Sequence, residues 1–328
     1  MEHHPVLARR VVEIFAPALD PGGVFVDATL GRGGHAAEIL RSAPGAKLIG
    51  IDRDAGALEA SRAFLRPFED RIRLVRGNFQ DLASVLERLG VPSVRGVLLD
   101  LGVSSPQLDE AHRGFSFRSD GPLDMRMDVS QSLTADDVVN RYDEKELART
   151  IRSYGEERFA RRIAAAIVKA RPVEGTARLA EIVTSAIPAA TRRAGGHPAR
   201  RTFQAIRIEV NRELDALRKG LPAAIDALEP GGRIAVLSYH SLEDRVVKRT
   251  FQEESRGCVC PPGFPVCTCS ARARLRILTR RPWRPDASEV QSNPRAGAAK
   301  LRAAERITPA ETAPPSGPAA LQAERKPA

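Results

Sequence analysis

Hydrophobic positions in the first third of the chain form short runs separated by longer amphipathic segments. The amphipathic segments, at 5–16, 55–68 and 82–89, space their apolar residues as helices do. The short runs are rich in Val, Ile and Leu, as buried strands are, and they lie at 24–26, 48–51, 72–75 and 94–99. Strands that alternate with helices favour crossover connections, so the pattern predicts an α/β fold with a mostly parallel, doubly wound sheet.

The first predicted strand leads into a glycine-rich turn, and the second ends in an acid. Gly31, Gly33 and Gly34 follow the first strand, and Asp52 stands about twenty residues beyond them, the spacing at which nucleotide-binding folds place an acid on ribose hydroxyls. We therefore predict a nucleoside cofactor. The glycines alone do not separate a NAD-dependent oxidoreductase from an S-adenosylmethionine (SAM) enzyme, and a βα turn that binds nothing is the structural alternative.

Four residues of suitable chemistry follow successive predicted strands. Open α/β sheets bind ligands beyond the carboxyl ends of their strands, so we expect Asp27, Asp52, Phe79 and Asp100 to line one crevice. Phe79 is either an adenine contact or a core aromatic, and its position one strand past Asp52 favours the adenine.

The alternation of strand and helix stops between 109 and 213, where we predict a helical insertion. Its predicted helices lie at 135–140, 144–151, 156–169, 176–186 and 201–219. A strand resumes at 233–238, and the alanine-rich stretch 298–306 has a helix-like pattern.

His240 stands where the resumed strand passes into another helix. Ser241 and Asp244 have the spacing of a helix cap. His240 either contacts the substrate or forms a structural hydrogen bond, and the sequence does not distinguish the two roles.

Charge changes this picture by suggesting a polyanionic partner. The 328 residues carry a formal net charge of +10, and arginine is the prevailing base. Arginine pairs bidentately with phosphate. The positive charge is concentrated in residues 192–212, where several arginines accompany a single acidic residue, Glu209. A genomic bias towards arginine is the alternative. The arginines that we predict to contact the phosphate backbone of such a partner are Arg192, Arg193, Arg200, Arg201 and Arg207.

Cysteine placement and hydropathy limit the cellular setting. No apolar run approaches the roughly 20 residues of a membrane span, and the N-terminus lacks signal-peptide features, so we expect a cytoplasmic protein. The chain after about residue 308 is rich in proline and alanine, which predicts disorder. Four thiols can complete a zinc site, although their C-x-C spacing is unusual, and free or redox-active thiols remain the alternative. They are Cys258, Cys260, Cys267 and Cys269.

Long motifs of the chain resemble one family, the bacterial 16S rRNA (cytosine-N4) methyltransferases known as RsmH or MraW. The resemblance covers roughly residues 3 to 307. Its motifs are His4-Pro-Val-Leu7, Gly31-Arg-Gly-Gly-His35, Ile51-Asp-Arg-Asp54, Leu99 to Leu108, Arg113-Gly-Phe-Ser-Phe117, Asp120 to Asp128, Tyr154-Gly-Glu-Glu-Arg158, Arg201-Thr-Phe-Gln-Ala205, His240 to Arg245 and Asn293-Pro-Arg295.

The resemblance implies a SAM-dependent methyl transfer to the exocyclic N4 of a cytidine in the decoding region of 16S rRNA, within the small ribosomal subunit. Another RNA substrate is the alternative, and a homodimer is left open. The implied fold is a Rossmann-like class I methyltransferase core with an inserted helical domain. With the patterns above, this divides the chain into core 1–108, substrate-recognition insertion 109–213, core 214–307 with the cysteine cluster 258–269, and a disordered tail 308–328.

The resemblance also implies a set of cofactor contacts. Asp100 takes a catalytic role there, either anchoring the SAM amino group or orienting the cytosine amine. The chain departs from familiar members in its cysteine cluster, and the family itself has Asp100-Leu-Gly-Val where many amino-methyltransferases have Asp/Asn-Pro-Pro-aromatic. The implied cofactor contacts are Gly33, Gly34, His35, Asp52, Phe79, Asp100 and Gln107.

Overall fold

The computed structural model describes residues 5–192, 196–257, 260 and 272–308. Within them one sheet has the strand order β3-β2-β1-β4-β5-β7-β6, in which β7 runs antiparallel to both of its neighbours and the other pairs are parallel. The predicted α/β class is confirmed. The strands are β1 Gly23–Asp27, β2 Ala46–Asp52, β3 Ile72–Arg76, β4 Val94–Asp100, β5 Leu228–Ser238, β6 Leu275–Ile277 and β7 Lys300–Arg306.

Helices connect these strands and fill the long segment between β4 and β5. Short 3₁₀ turns lie at Arg66–Arg71, Phe79–Asp81, Ala111–Arg113 and Pro294–Ala298. The helices are α1 Ala8–Leu19, α2 Gly34–Ser42, α3 Ala55–Phe64, α4 Leu82–Arg88, α5 Ser105–Asp109, α6 Ala135–Asn140, α7 Glu144–Gly155, α8 Ala160–Lys169, α9 Thr176–Ala186, α10 Ala189–Arg192, α11 Arg200–Asn211, α12 Glu213–Ala227, α13 Ser241–Glu254 and α14 Ala287–Ser292.

Helices cover both faces of the sheet, as a doubly wound fold requires. Successive strand residues point to opposite faces. Phe25 and Leu98 therefore belong to the core that includes α1 and α2, whereas Val26 and Val97 belong to the core that includes α4, α12 and α13.

A third hydrophobic core lies in the segment between β4 and β5. It combines buried residues of α6, α7, α8, α9 and α11 with loop residues such as Phe115 and Met125. β4 and β5 are adjacent in the sheet despite this intervening segment, with Asp100 opposite Leu237.

Two predicted helices are interrupted within their predicted spans. The segment predicted as one helix at 201–219 forms α11 and α12, which meet at Arg212 in the left-handed region (φ 48°). The helix predicted at 55–68 ends at Phe64, and a 3₁₀ turn follows it.

The helix-like assignment of 298–306 was wrong, because this segment forms strand β7 between β5 and β6. Ala303 and Ala304 are fully buried in the cores on opposite faces of the sheet. A strand covered on both faces has no alternation of apolar and polar residues, so periodicity does not distinguish it from a helix. Among the described residues, no helix combines the length and hydropathy needed to span a bilayer.

Candidate cofactor site and RNA surface

The carboxyl ends of four strands bring acidic and aromatic side chains to one edge of the sheet. Asp27 ends β1, Asp52 ends β2, Asp100 ends β4, and Tyr239 follows β5. Together with His35 at the start of α2, these residues form what we call the strand-end crevice.

Backbone donors fix the carboxylate of Asp52. Gly31 N–H donates to Asp52 Oδ2 at 2.8 Å, and Asp54 N–H donates to Asp52 Oδ1 at 2.9 Å. Burial nevertheless raises the pKa of Asp52. Asp100 is held from its backbone, since its N–H donates to the hydroxyl of Thr29 at 2.6 Å.

His35 lies against Asp100 with both ring nitrogens unsatisfied. Its side chain is 5% exposed, and its Nε2 lies 3.5 Å from Asp100 Oδ2, with geometry that does not make a hydrogen bond. Neither nitrogen has a hydrogen-bond partner in the described part of the chain. Buried polar atoms in proteins are normally paired, so this imidazole marks a position suited to a ligand.

Tyr239 was not among the residues predicted from the sequence, although the strand before it was. Its hydroxyl donates to Asp100 Oδ1 at 2.8 Å. Burial and the neighbouring Asp100 raise the pKa of Tyr239 well above its ordinary value, so the phenol stays protonated and donates at neutral pH. Asp100 therefore has one oxygen committed to Tyr239 and the other directed to His35.

Asp27 is the most deeply buried acid of the strand-end crevice, with 2% of its surface exposed. Burial raises the pKa of its carboxyl to about 7, and the nearby Asp100 and Asp52 carboxylates act in the same direction. The N–H of Thr29, 3.2 Å from Asp27 Oδ1, and His35 oppose this rise only in part.

Gln107 contacts Asp54, in the loop that follows β2. Its Nε2 donates to Asp54 Oδ2 at 3.0 Å, and its Oε1 accepts the N–H of Ser104 at 3.0 Å. Arg113 donates to the same Asp54 oxygen at 3.0 Å. Burial favours a higher pKa for Asp54, but the hydrogen bond from Gln107 and the charge of Arg113 hold that pKa below its usual range. These contacts tie the loop after β4 to the residue two positions beyond Asp52.

The glycines and Phe79 pack closely against other elements. Gly33 has φ 81°, and a Cβ there would lie 2.9 Å from a methyl of Leu65. Phe79 is 9% exposed, and a Cβ on Gly220 of α12 would lie 2.6 Å from its ring. The core role of Phe79 is thus visible, and its adenine contact stays a prediction.

The arginines predicted to contact RNA do not share one environment. Arg200 and Arg201 are exposed on the first turn of α11, and Arg201 donates to the backbone oxygen of Glu156 at 3.2 Å. Arg193 and the side chain of Arg192 lie outside the described residues.

Arg207 points inward, and we remove it from the predicted RNA surface. Its guanidinium donates to both oxygens of Glu213 at 2.8 Å, and its side chain is 16% exposed. Burial favours a lower pKa for Arg207, but the neighbouring Glu213 outweighs this and raises the pKa. The count of arginines in 192–212 could not reveal that this one faces a carboxylate on the next helix.

Arg207, Glu213, His240 and Glu243 form a second buried cluster, which we call the Arg207 cluster. One ligand atom from each of Glu213, His240 and Glu243 lies within 4.8 Å of the others, a spacing that could hold a cation. However, Arg207 occupies both oxygens of Glu213, and Glu243 accepts the N–H groups of Tyr239 and His240 at 2.8 and 3.2 Å. This is an ion-pair network that already contains its own cation.

The helix cap predicted for α13 was assigned to the wrong pair of residues. The cap is His240, whose Nδ1 accepts the N–H of Glu243 while the Glu243 side chain accepts the N–H of His240. Asp244 instead accepts from Arg302 at 2.6 Å and from Lys300 at 3.2 Å.

Two sequence predictions concern regions outside the described part of the chain. Of the four cysteines, only Cys260 is described, so the zinc site stays a prediction. The predicted disorder beyond 308 falls on residues 309–328, which are also outside it.

Comparison with known proteins identifies the family. A family model described as "MraW methylase family" matches residues 1–307. The protein named "Ribosomal RNA small subunit methyltransferase H" in Symbiobacterium thermophilum is 54% identical over 315 residues, which are 95% of this chain and 98% of that protein. Its namesake in Thermobifida fusca is 56% identical over 308 residues, 93% of either chain. The chain belongs to the MraW methylase family.

Proposed function

We propose that this protein transfers the methyl group of SAM to the exocyclic N4 of a cytidine in the decoding region of 16S rRNA. The observation that carries the proposal is the strand-end crevice, in which three carboxylates and an unsatisfied imidazole meet, in a chain that belongs to the MraW methylase family. The family's relatives are named for methylation of small-subunit rRNA.

The residues present fit SAM. Each oxygen of Asp52 accepts one backbone N–H and retains a lone pair for a ribose hydroxyl. The negative charge of Asp100 suits the ammonium or sulfonium group, and the His35 nitrogens offer an otherwise unused hydrogen bond. The residues that would hold SAM are Gly33, Gly34, His35, Asp52, Phe79 and Asp100, with Gln107 positioning the loop through Asp54.

SAM supplies an electrophilic methyl group, and the protein must orient the cytosine amine and exclude water. The amine is a weak nucleophile because its lone pair is delocalised into the ring. A carboxylate that accepts from the NH₂ would localise that pair and stabilise the developing positive charge. Tyr239 holds Asp100 Oδ1, so Oδ2 is the oxygen for this role or for anchoring the SAM amino group. The cytidine must leave its stack, which costs a few kcal/mol if it is paired.

The helical segment between β4 and β5 is the proposed RNA-binding part. We keep the division into core 1–108, insertion 109–213 and core 214–307, supported by the separate hydrophobic core of that segment. Arg200 and Arg201 would contact phosphates on its surface. The substrate would be rRNA within the small ribosomal subunit, met in the cytoplasm, and a homodimer remains open.

The decisive experiment is mass spectrometry of nucleosides from small ribosomal subunits incubated with the protein and methyl-labelled SAM. We expect labelled N4-methylcytidine. Labelled 5-methylcytidine would point to another mechanism that needs a cysteine nucleophile, and no label would contradict the proposal. A thermal-shift titration in which NADH stabilises the protein and SAM does not would favour an oxidoreductase.

A further inference from the structure

We infer that His197 and Phe117 form a stacking platform for an unpaired base of the RNA substrate. The inference rests on the proposed function, since it assumes that the substrate is RNA. It deepens that proposal by assigning a base contact to two residues that the cofactor site does not use.

The two rings are already stacked on each other. Their centroids lie 4.3 Å apart with an interplanar angle of 20°. Phe117 also meets Phe203 edge to face, with centroids 5.3 Å apart at 79°. Phe203 is buried in the hydrophobic core of the helical segment, so the two stacked rings pack against the protein interior.

The outer member of this stack is exposed. His197 is solvent-exposed, Phe117 is half-buried, and Phe203 is 4% exposed, so the aromatic column runs from the core to the surface. Stacking of one base on an aromatic side chain strengthens binding by roughly one to two orders of magnitude, and it does not require a particular base. The exposed His197 ring, which stacks on Phe117 on one side, offers an aromatic face for such stacking.

Two exposed arginines lie close to the column in sequence. Arg118 follows Phe117 directly, and Arg200 lies in the first turn of α11, close in sequence to His197. Both side chains are exposed, and neither guanidinium forms an ion pair with a described carboxylate. Aromatic faces beside unpaired arginines are the usual composition of a single-stranded nucleic-acid surface.

A structural role for His197 is the competing explanation, and it can be separated. His197 Nδ1 accepts the N–H of Ala199 at 3.2 Å, which organises the turn before α11. Asparagine at this position keeps a side-chain acceptor for an N–H two residues ahead but removes the ring. Tyrosine keeps a ring but removes the Nδ1 acceptor.

The test compares His197→Asn with His197→Tyr by fluorescence anisotropy of a labelled single-stranded RNA oligonucleotide that spans the decoding-region sequence. We expect His197→Asn to weaken binding by about 5- to 150-fold, whereas His197→Tyr stays within about twofold of wild type. The salt dependence of binding should be the same for both, because no phosphate contact changes. SAM affinity and the unfolding midpoint serve as controls for the fold.

The reverse order, with His197→Tyr weaker than His197→Asn, assigns a turn-forming role and overturns the inference. Wild-type binding by both variants, or equal losses in both, also overturns it, because the ring would then not be the determinant. Failure of the proposed function looks different: the wild-type protein itself would then form no N4-methylcytidine in small ribosomal subunits.

Discussion

The strand-end crevice and the Arg207 cluster both bury carboxylates, but they stabilise them in different ways. In the Arg207 cluster, Glu213 is paired with the Arg207 guanidinium through two hydrogen bonds of 2.8 Å. Burial favours a higher pKa for Glu243, but His240 and Arg207 outweigh this and hold the pKa below its usual range. In the strand-end crevice, Asp27 and Asp52 face other acids, and burial raises the pKa of both carboxyls.

This difference separates architecture from a binding site. Buried charges that satisfy one another form a network that holds elements together, here α11, α12 and α13. In the strand-end crevice, acids with raised pKa values lie beside His35, which lacks a partner at both ring nitrogens, whereas His240 in the Arg207 cluster lacks one only at Nε2. Such perturbed groups concentrate at functional sites. Three single substitutions test this contrast, and a double variant tests the proposed RNA surface.

The largest effect is expected for Asp100→Ala. Loss of this carboxylate should lower kcat/KM for methyl transfer on the order of 10²- to 10³-fold while the unfolding midpoint stays near that of wild type. Filter-binding assays with labelled SAM and small ribosomal subunits measure the loss, and the exposed Asp20→Asn serves as the control. Wild-type affinity for SAM in the variant would remove Asp100 from the cofactor contacts.

Arg207→Ala should show the opposite profile. It leaves Glu213 and Glu243 buried without their guanidinium, so we expect the free energy of unfolding to fall by about 3 kcal/mol. Urea denaturation measures this loss, and exposed Arg200→Ala should change stability by less than about 0.5 kcal/mol. If Arg207→Ala left stability intact but flattened the salt dependence of RNA binding, Arg207 would belong to the RNA surface after all.

Asp27→Asn tests the acid-rich site through pH. The folded pKa of about 7 lies above the ordinary value of 3.8, so the folded protein holds a proton that the unfolded chain releases. That stability is complete below pH 3.8 and is lost as pH rises through 7. Wild type should therefore lose about 2 kcal/mol between pH 5 and 7 through this group, and Asp27→Asn should lack that component. Parallel pH profiles of the two proteins in urea denaturation would refute the burial of a titrating acid.

The smallest effect is expected for the double variant Arg200→Ala, Arg201→Ala. It should weaken rRNA binding on the order of tenfold and reduce the slope of log affinity against log salt concentration by about 1.5. Arg88→Ala, an exposed arginine on α4, is the matched control. An unchanged slope would contradict the placement of phosphate contacts on α11.

The sequence allowed the strand-end acids to be predicted because each ends an apolar run, and carboxyl ends of parallel strands share one edge. Asp27, Asp52 and Asp100 were found in this way. Tyr239 was not, because its bond to Asp100 depends on β4 and β5 being neighbours across the whole helical segment.

Side-chain direction explains the error at Arg207. Arg207 belongs to a basic stretch of sequence, but the turn at Arg212 sets α12 so that Glu213 meets it. His35 and Gln107 came from the family resemblance alone, because a single buried imidazole or amide carries no periodic signal.

The pairing of β4 with β5 also determines the order in which the chain can fold during synthesis. Until residues 228–238 have left the ribosome, β4 is the open edge of a partial sheet, a state prone to pair with other chains. The helices made in the meantime pack around their own hydrophobic core, α7 against its neighbour α8 and also against the more distant α11. Their early compaction would bring the two ends of the segment together and shorten the time for which that edge is exposed.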